Sequence, residues 1–207
     1  VPTEQAKEAT WTALVEDADM SNETQVKVLR GLAAVLDAPY APVQTFSATQ
    51  PRTAHQLMLD VLTLNGVSMG WQVDWQLTDW HVPAGAFMHQ GTWASALNHI
   101  ASAAGGYIQP HDTDARLHVL PAWPRPWWRW AGMPPDIELP RGVAEVEDTE
   151  WMQEPAYNRI FISGEAGGIL GDYKRAGTAG DVLRPMVVHP LITDEAAARQ
   201  RATAALA

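Results

Sequence analysis

Residues 71–78 carry the most regular pattern in the sequence, because apolar and polar side chains alternate there without exception. A period of two over such a window is typical of a β-strand with one buried face and one face toward solvent. The pattern therefore predicts a half-buried strand. Its inward side chains are predicted to be Trp71, Val73, Trp75 and Leu77.

Helical spacing appears on both sides of this strand. Thr53 and Gln56 have the spacing of a capping box, and the apolar residues that follow predict a helix that stops near residues 65–66. A second helix is predicted to begin after Thr92, its N-cap, and to end at residues 105–106. The predicted buried faces consist of Leu57, Met58, Val61, Leu62 and Leu64 in the first helix, and of Leu97, Ile100, Ala101 and Ala104 in the second.

A pair of strands is predicted directly after the second helix. Residues 107–109 and 117–120 are rich in β-type side chains, and residues 110–114 between them are turn formers. The two runs therefore predict a hairpin. The helix, strand, helix and hairpin together predict a small α+β domain over residues 43–122.

The first forty residues permit two interpretations. Residues 11–17 fit an amphipathic helix, but their apolar side chains also alternate, and residues 26–28 suit a strand that follows a turn. We favour a hairpin formed by these two runs. A short helix around residues 32–36 is predicted to follow it and to end at Pro39.

The last third of the chain again shows strand patterns. Residues 143–151 alternate weakly, residues 159–163 are a candidate buried strand, and residues 168–173 are placed to return beside it after a Gly-Gly turn. Residues 193–207 have the pattern of a helix. We interpret this region as consecutive strands of a barrel or sandwich followed by that helix.

A segment rich in proline and tryptophan separates these regions. Four of the ten tryptophans lie between residues 123 and 130, and the prolines among them prevent one regular element. Indoles in such a segment either close over the edge of their own core or form a contact surface for another subunit, another protein or a sugar. The candidate contact residues are Trp127, Trp128 and Trp130.

Composition narrows the range of partners and chemistries. The formal net charge of −10 argues against nucleic-acid phosphate and anionic membranes as principal partners, and the absence of cysteine excludes disulfides and thiolate chemistry. No apolar run approaches the roughly 20 residues of a membrane-spanning helix. Because the sequence starts at Val1 and stops inside a helical pattern, we expect it to be a piece of a longer protein.

The acidic and imidazole side chains form no recognisable catalytic set. Glycoside cleavage requires two carboxylates that face each other, and the acidic run at residues 145–150 is better explained as a charged strand edge. No pair of histidines has the spacing of a zinc-protease helix, although His89 and His99 flank the second predicted helix. The other acidic residues considered are Asp112, Asp114, Asp136 and Glu138.

Serine and glycine motifs are equally uninformative. Ser163 lacks the glycine elbow of a serine hydrolase, and the glycines of residues 164–171 lack the lysine of a phosphate-binding loop. A glycine-rich hairpin turn explains the latter run better. We therefore predict that the chain has no catalytic residues, no metal and no cofactor.

Several segments, taken in order, resemble the baseplate hub or tail-tip hub proteins of tailed bacteriophages and prophages. The resemblance runs from about residue 25 to the C-terminus, and its weight comes from the number and order of the segments. They are LDAPYAP at 36–42, RTAHQL at 52–57, WQLTDWHVPAG at 75–85, AAGGYIQP at 103–110, LPAWP at 120–124, PAYNRIFISG at 155–164 and RAGTAGD at 175–181.

The resemblance implies an architectural role in the virion tail. Proteins of this family form rings of three subunits, built from β-barrel domains with an α+β domain between them, that join the tail tube to a spike or tip. It implies a homotrimer with neighbouring tail-tube and tip or spike proteins as partners. The implied domains are the end of an N-terminal barrel at 1–42, the α+β domain at 43–122, the connector at 123–142 and the start of a second barrel at 143–207.

Two other functions remain open from the sequence. The first is a cell-wall module that binds glycan through stacked indoles or cleaves it with acidic groups. The second is a metal enzyme that uses His81, His89 or His111.

Overall fold

The computed structural model of this chain describes residues 13–18, 27–134, 137, 138, 140, 142, 155–165 and 169–207, and gives the backbone alone for 13–18 and 27–30. Three sequence features fall outside these residues: the strand predicted at 143–151 with its acidic run, Asp136, and the Gly-Gly turn at 167–168.

The N-terminal hairpin and the short helix after it are confirmed. Strands β1 (Ala13–Ala18) and β2 (Lys27–Gly31) pair antiparallel, with an irregularity between Val15 and Ala18. A 3-10 helix, Leu32–Leu36, follows directly and buries Leu36. The Asp37 carboxylate, directly after this helix, accepts a hydrogen bond from the Thr92 hydroxyl at 2.7 Å. This bond links the end of the 3-10 helix to the start of the second α-helix.

The first α-helix begins at the predicted capping box. Two short strands, β3 (Gln44–Ser47) and β4 (Arg52–Thr53), precede helix α1 (Ala54–Val61). The Thr53 hydroxyl accepts from the Gln56 N–H at 3.3 Å, and the Gln56 side chain accepts from the Thr53 N–H at 3.0 Å. These two bonds satisfy amide groups that the start of a helix leaves unpaired.

Helix α1 is shorter than predicted, because its last residues form a tight hairpin. Strands β5 (Thr63–Leu64) and β6 (Val67–Ser68) pair antiparallel around Asn65 and Gly66, whose φ angles are 51° and 79°. Two consecutive positive φ angles at Asn-Gly are typical of a two-residue hairpin turn. Leu64, predicted to be buried, is consequently 47% exposed.

The central sheet contains the predicted strand and hairpin. Strand β7 (Gln72–Trp75) comes first, followed by β8 (His81–Val82), which pairs with β4, and β9 (Met88–Gly91), which pairs with β3. Trp71, directly before β7, and Leu77, two residues after it, are buried, and Val73 and Trp75 within the strand are half-buried.

Helix α2 (Trp93–Ala103) crosses over to the hairpin of β10 (Gly106–Pro110) and β11 (Arg116–Pro121). The Thr92 hydroxyl caps the helix by accepting from the Ser95 N–H at 3.2 Å, as predicted. The strand order is β10, β11, β7, and β7 runs parallel to β11. A parallel neighbour requires a crossover connection, which the segment containing α2 supplies.

A second three-stranded sheet and a helix complete the described chain. Strand β12 (Arg159–Ser163) pairs antiparallel with β13 (Leu170–Lys174) and parallel with β14 (Val187–Val188). Ile160 and Ile162 of β12 are fully buried. Helix α3 (Glu195–Leu206) follows and buries one face rich in alanine.

The C-terminal segment packs against the α+β domain. The Trp80 indole N–H donates to the Leu191 carbonyl at 2.7 Å, and the Thr193 hydroxyl donates to the His81 carbonyl at 2.6 Å. The Gln200 side chain of α3 accepts from the Thr78 N–H at 2.8 Å. The buried apolar residues of both regions form one continuous core.

The fold class is α+β, as predicted, and the residues that the structure describes form three α-helices and several small sheets. The described residues contain no closed barrel. The assignment of residues 1–42 and 143–207 to parts of barrels therefore stays a prediction. None of the described helices is long and apolar enough to cross a membrane.

Candidate functional site

The proline- and tryptophan-rich connector leaves the central sheet where β11 ends. Its local structure is a 3-10 helix, Trp127–Arg129, closed by hydrogen bonds from the Arg129 N–H to the Pro126 carbonyl and from the Trp130 N–H to the Trp127 carbonyl. The first of these is 2.9 Å long and the second 3.1 Å. Prolines on either side prevent a longer helix, so the indoles project from a short, turned segment.

The tryptophans of the connector divide into outward and inward side chains. Trp127 is 45% exposed and Trp130 is 49% exposed, whereas Trp128 is half-buried and packs against the core. Trp123, which the sequence did not single out as a contact residue, is as exposed as Trp127 at 45%. Trp123 belongs to the same proline-interrupted run as the other three indoles, and this is the sequence feature that could have identified it as a contact residue.

The four indoles form two aromatic pairs. The rings of Trp127 and Trp128 lie edge to face with 5.6 Å between their centres, and those of Trp123 and Trp130 are tilted at 6.0 Å. Each such pair contributes about 0.5–1.5 kcal/mol of stability in addition to the contribution from burying the surface area of the rings. We call the four indoles, with Arg125, Arg129 and Arg175, the aromatic surface.

Arg175 joins the aromatic surface from a distant part of the sequence. It follows β13, and its guanidinium carbon lies 5.0 Å from the centre of the Trp127 ring and 5.3 Å from that of Trp128. Its N–H donates to the Asn158 carbonyl at 2.9 Å, which ties it to the second sheet. The cation–π contacts therefore hold the connector against a second element of the fold. No local sequence pattern identifies such a partner.

A groove of about 700 Å³ opens beside the aromatic surface. Among the residues that line it, the Trp130 indole N–H donates to the Arg125 carbonyl at 2.8 Å, and Arg125 Nη1 donates to the Met133 sulfur at 3.3 Å. These contacts fix the shape of its wall. The lining residues are Ala122, Trp123, Pro124, Arg125, Trp130, Met133 and Pro134.

Three histidines meet at the junction between α2 and the C-terminal segment. The ring centres of His89 and His99 are 4.9 Å apart, and those of His99 and His189 are 4.6 Å apart. Burial lowers the pKa of His189 to about 4, with further contributions from the nearby charges of His99 and Arg201. Burial, and then the charge of His89, also lowers the pKa of His99.

Two other histidines, His118 and His111, make polar contacts nearer the surface. His118 Nδ1 is 2.9 Å from the Asp74 carboxylate, and this hydrogen bond is the main reason that the pKa of Asp74 is lowered. His111 Nδ1 accepts from the backbone N–H groups of Thr113 and Asp114 at 3.3 and 3.1 Å. Within the described ranges, no group of three or more histidine, aspartate and glutamate side chains is placed to hold a metal ion.

The sequence matches no protein-family profile and no curated protein. Among solved structures, the chain is similar to the crystal structure of the tail protein from Neisseria meningitidis MC58. The two share 17% identity and a TM-score of 0.44 over 86% of this chain and 54% of that one. The chain thus spans about half the length of that protein.

Proposed function

We propose that this chain is a structural component of a phage tail, namely the hub of a tail tip or baseplate. In this role it assembles as a homotrimeric ring that connects the tail tube to the tip or spike, and it catalyses no reaction. The ordered series of hub-like segments in the sequence supports the proposal. The observation that carries it is the aromatic surface, with three indoles about half exposed.

An exposed and rigid set of indoles suits protein assembly. Tryptophan contributes a large contact area with few rotatable bonds, and it is enriched among the residues that dominate interface energies. Arg175 holds Trp127 and Trp128, and a hydrogen bond to the Arg125 carbonyl holds Trp130, so binding a partner orders few additional side chains. The formal charge of −10 further suits a tail lumen through which DNA must pass without adhering.

The oligomeric state tests this function directly. Size-exclusion chromatography with light scattering on the full chain is expected to give a mass three times that of the 22.7 kDa subunit. A strict monomer at high protein concentration would contradict the proposed ring.

Substitutions at the outward indoles test which surface forms the ring. We expect Trp127→Ala and Trp130→Ala each to raise the trimer dissociation constant by about tenfold or more, because each removes a large contact area. Tyr107→Ala is the matched control, since Tyr107 is 44% exposed but lies on β10. Equal weakening by all three variants, or loss of the monomer fold, would contradict the assignment of the interface.

A cell-wall glycan module is the second candidate function. The observation that favours it is the groove walled by Trp123 and Trp130, since indole faces can stack on sugar rings. Pull-down with purified peptidoglycan and a hydrolysis assay with soluble fragments separate this function from the first. Binding that Trp123→Ala abolishes, in a chain that does not self-associate, would favour the glycan module.

A further inference from the structure

We propose that residues 189–193, the junction turn, form an acid-sensitive switch that opens the contact between the C-terminal segment and the α+β domain. Protonation of His189 is the trigger, and the neighbouring His99 adds to its effect. The switch goes beyond the assembly role proposed above and does not depend on it. It follows from three features: the bonds that the junction turn makes, the form of His189 that these bonds require, and the basic groups around that ring.

The junction turn carries two of the hydrogen bonds that join the C-terminal segment to the α+β domain. The Leu191 carbonyl accepts from the buried Trp80 indole, and the Thr193 hydroxyl donates to the His81 carbonyl. His189 lies at the start of the turn, and its backbone N–H donates to the last carbonyl of β12 at 3.0 Å. The conformation of the turn therefore decides whether both bonds to the domain can form.

The His189 ring holds this conformation through a bond that requires its neutral form. Its Nδ1 accepts from the Leu191 N–H at 3.2 Å. On the other side of the ring, Nε2 lies 3.4 Å from the Ser102 hydroxyl, which itself donates to the His99 carbonyl at 3.0 Å. Because the hydroxyl proton is engaged by that carbonyl, we assign the ring proton to Nε2, which leaves Nδ1 as the acceptor.

Protonation of His189 replaces this acceptor with a donor. An imidazolium carries a proton on both ring nitrogens, so its Nδ1–H would face the Leu191 N–H, and two donors form no hydrogen bond. The backbone at Leu191 then has to rotate. Since the carbonyl of the same residue accepts from the Trp80 indole, loss of the first bond also weakens the second.

The titratable and charged groups that act on the His189 ring oppose its protonation while the junction is closed. His99 of α2 lies 4.6 Å from it, measured between ring centres, and the ring of His89 on β9 lies 4.9 Å from that of His99. From α3 the charge of Arg201 acts on His189, and Arg184 acts in turn on Arg201. All of these groups are basic, so each raises the cost of a further positive charge.

Opening of the junction removes this cost. In the closed form burial, and then the charges of His99 and Arg201, lower the pKa of His189 to about 4, whereas the pKa of an exposed histidine is about 6.5. The open form therefore binds the proton more tightly, and the opening equilibrium constant rises as pH falls from 6.5 to about 4 and levels off below. The two pKa values correspond to a rise of about 20-fold from pH 7 to pH 5, and of about 200-fold in the limit of low pH.

Hydrogen exchange of the Trp80 indole tests the switch in the full chain. The protein is labelled with 15N-tryptophan, Trp80→Phe identifies the signal, and its exchange rate is compared with that of free tryptophan at each pH. We expect the opening equilibrium constant of this indole to rise about 20-fold from pH 7 to pH 5. At pH 5 it is expected to exceed that of the α2 amides, residues 97–103, and to depend little on low concentrations of urea, because release of the turn exposes little surface.

Two substitutions assign the pH dependence to the histidines. His189→Gln removes the titrating group, and we expect the opening constant of the Trp80 indole then to change by less than about twofold between pH 7 and pH 5. His99→Gln removes the nearest like charge and is expected to give a smaller rise than the natural sequence. His111→Gln is the matched control, because it replaces a histidine between β10 and β11 and is expected to keep the full rise.

A direct titration keeps the test decisive if a variant does not fold. The ring signals of His189 in the natural sequence are expected to give a pKa of about 4, and a value at or above 6.5 overturns the switch. An unaltered rise in the His189→Gln variant also overturns it. So does an indole that opens with the same equilibrium constant and urea dependence as the α2 amides, since this indicates global unfolding. Whether the chain assembles into a ring changes none of these results.

Discussion

Gly105 directly follows the C-cap of α2 and contacts α3. A glycine is required at this position for two reasons. Its φ angle is +73°, a conformation that side chains with a Cβ atom rarely adopt. A Cβ atom at this position would also lie 2.5 Å from the Cβ atom of Ala204 on α3. The glycine therefore both ends α2 and permits the close approach of the C-terminal helix.

We expect Gly105→Ala to lower the free energy of unfolding by about 2–4 kcal/mol, since it combines backbone strain with crowding. Gly66→Ala is the control: φ is +79° there, but nothing lies within 4 Å of the added Cβ. That variant is expected to cost only about 1–2 kcal/mol. Urea denaturation measures both, and equal losses would show that the contact with Ala204 is unimportant.

The aromatic surface shows how far single residues can be predicted. The unusual run of indoles identified Trp127, Trp128 and Trp130 as candidates, but their spacing did not show that Trp128 turns inward. Arg175 could not be identified, because its contact with the indoles depends on how the second sheet packs against the connector. Whether these residues form an interface stays a prediction.

At the scale of elements, the sequence predicted structure wherever local interactions determine it. The N-caps at Thr53 and Thr92 and the hairpin of β10 and β11 are confirmed, because their hydrogen bonds join residues close in sequence. The end of α1 was placed too late, because the Asn-Gly turn forms a hairpin that begins within the apolar stripe. The parallel pairing of β7 with β11 and the docking of α3 depend on distant contacts, which no local pattern encodes.

The contact between α2 and the C-terminal segment is expected to weaken in acid. His189 Nδ1 accepts from the Leu191 N–H at 3.2 Å, so its protonation removes an acceptor. The titratable and charged groups that face it, His99 and Arg201, are both basic, and burial lowers its pKa to about 4. The folded protein therefore binds this proton less readily than the unfolded chain, in which the pKa is about 6.5.

Because the unfolded chain binds more protons between pH 6.5 and about 4, stability is complete above this window and declines as pH falls through it. The loss attributable to His189 is about 3 kcal/mol at most. We expect His189→Gln to flatten this part of the pH profile in thermal and urea unfolding. His81→Gln is the control, since His81 is exposed, and an unchanged profile in the His189 variant would contradict the assignment.

At the scale of the whole molecule, the continuous core predicts cooperative unfolding. Helices α2 and α3 pack against each other. The hydrogen bonds from the Trp80 indole to the Leu191 carbonyl and from the Thr193 hydroxyl to the His81 carbonyl also join the α+β domain to the C-terminal segment. We expect hydrogen exchange to give similar opening free energies for the amides of residues 97–103 and 199–205. Much faster exchange in α3 would instead show that the C-terminal segment opens as a separate unit.

For the tail component proposed above, the docking of the C-terminal segment also determines how a pulling force on the connector is transmitted. Strand β11 ends at Pro121, strand β12 begins at Arg159, and both belong to the same core. A force that pulls on the indoles between them is therefore shared by two attachment points in one continuous core. If one of these strands detached from the core, the connector would stay attached through the other.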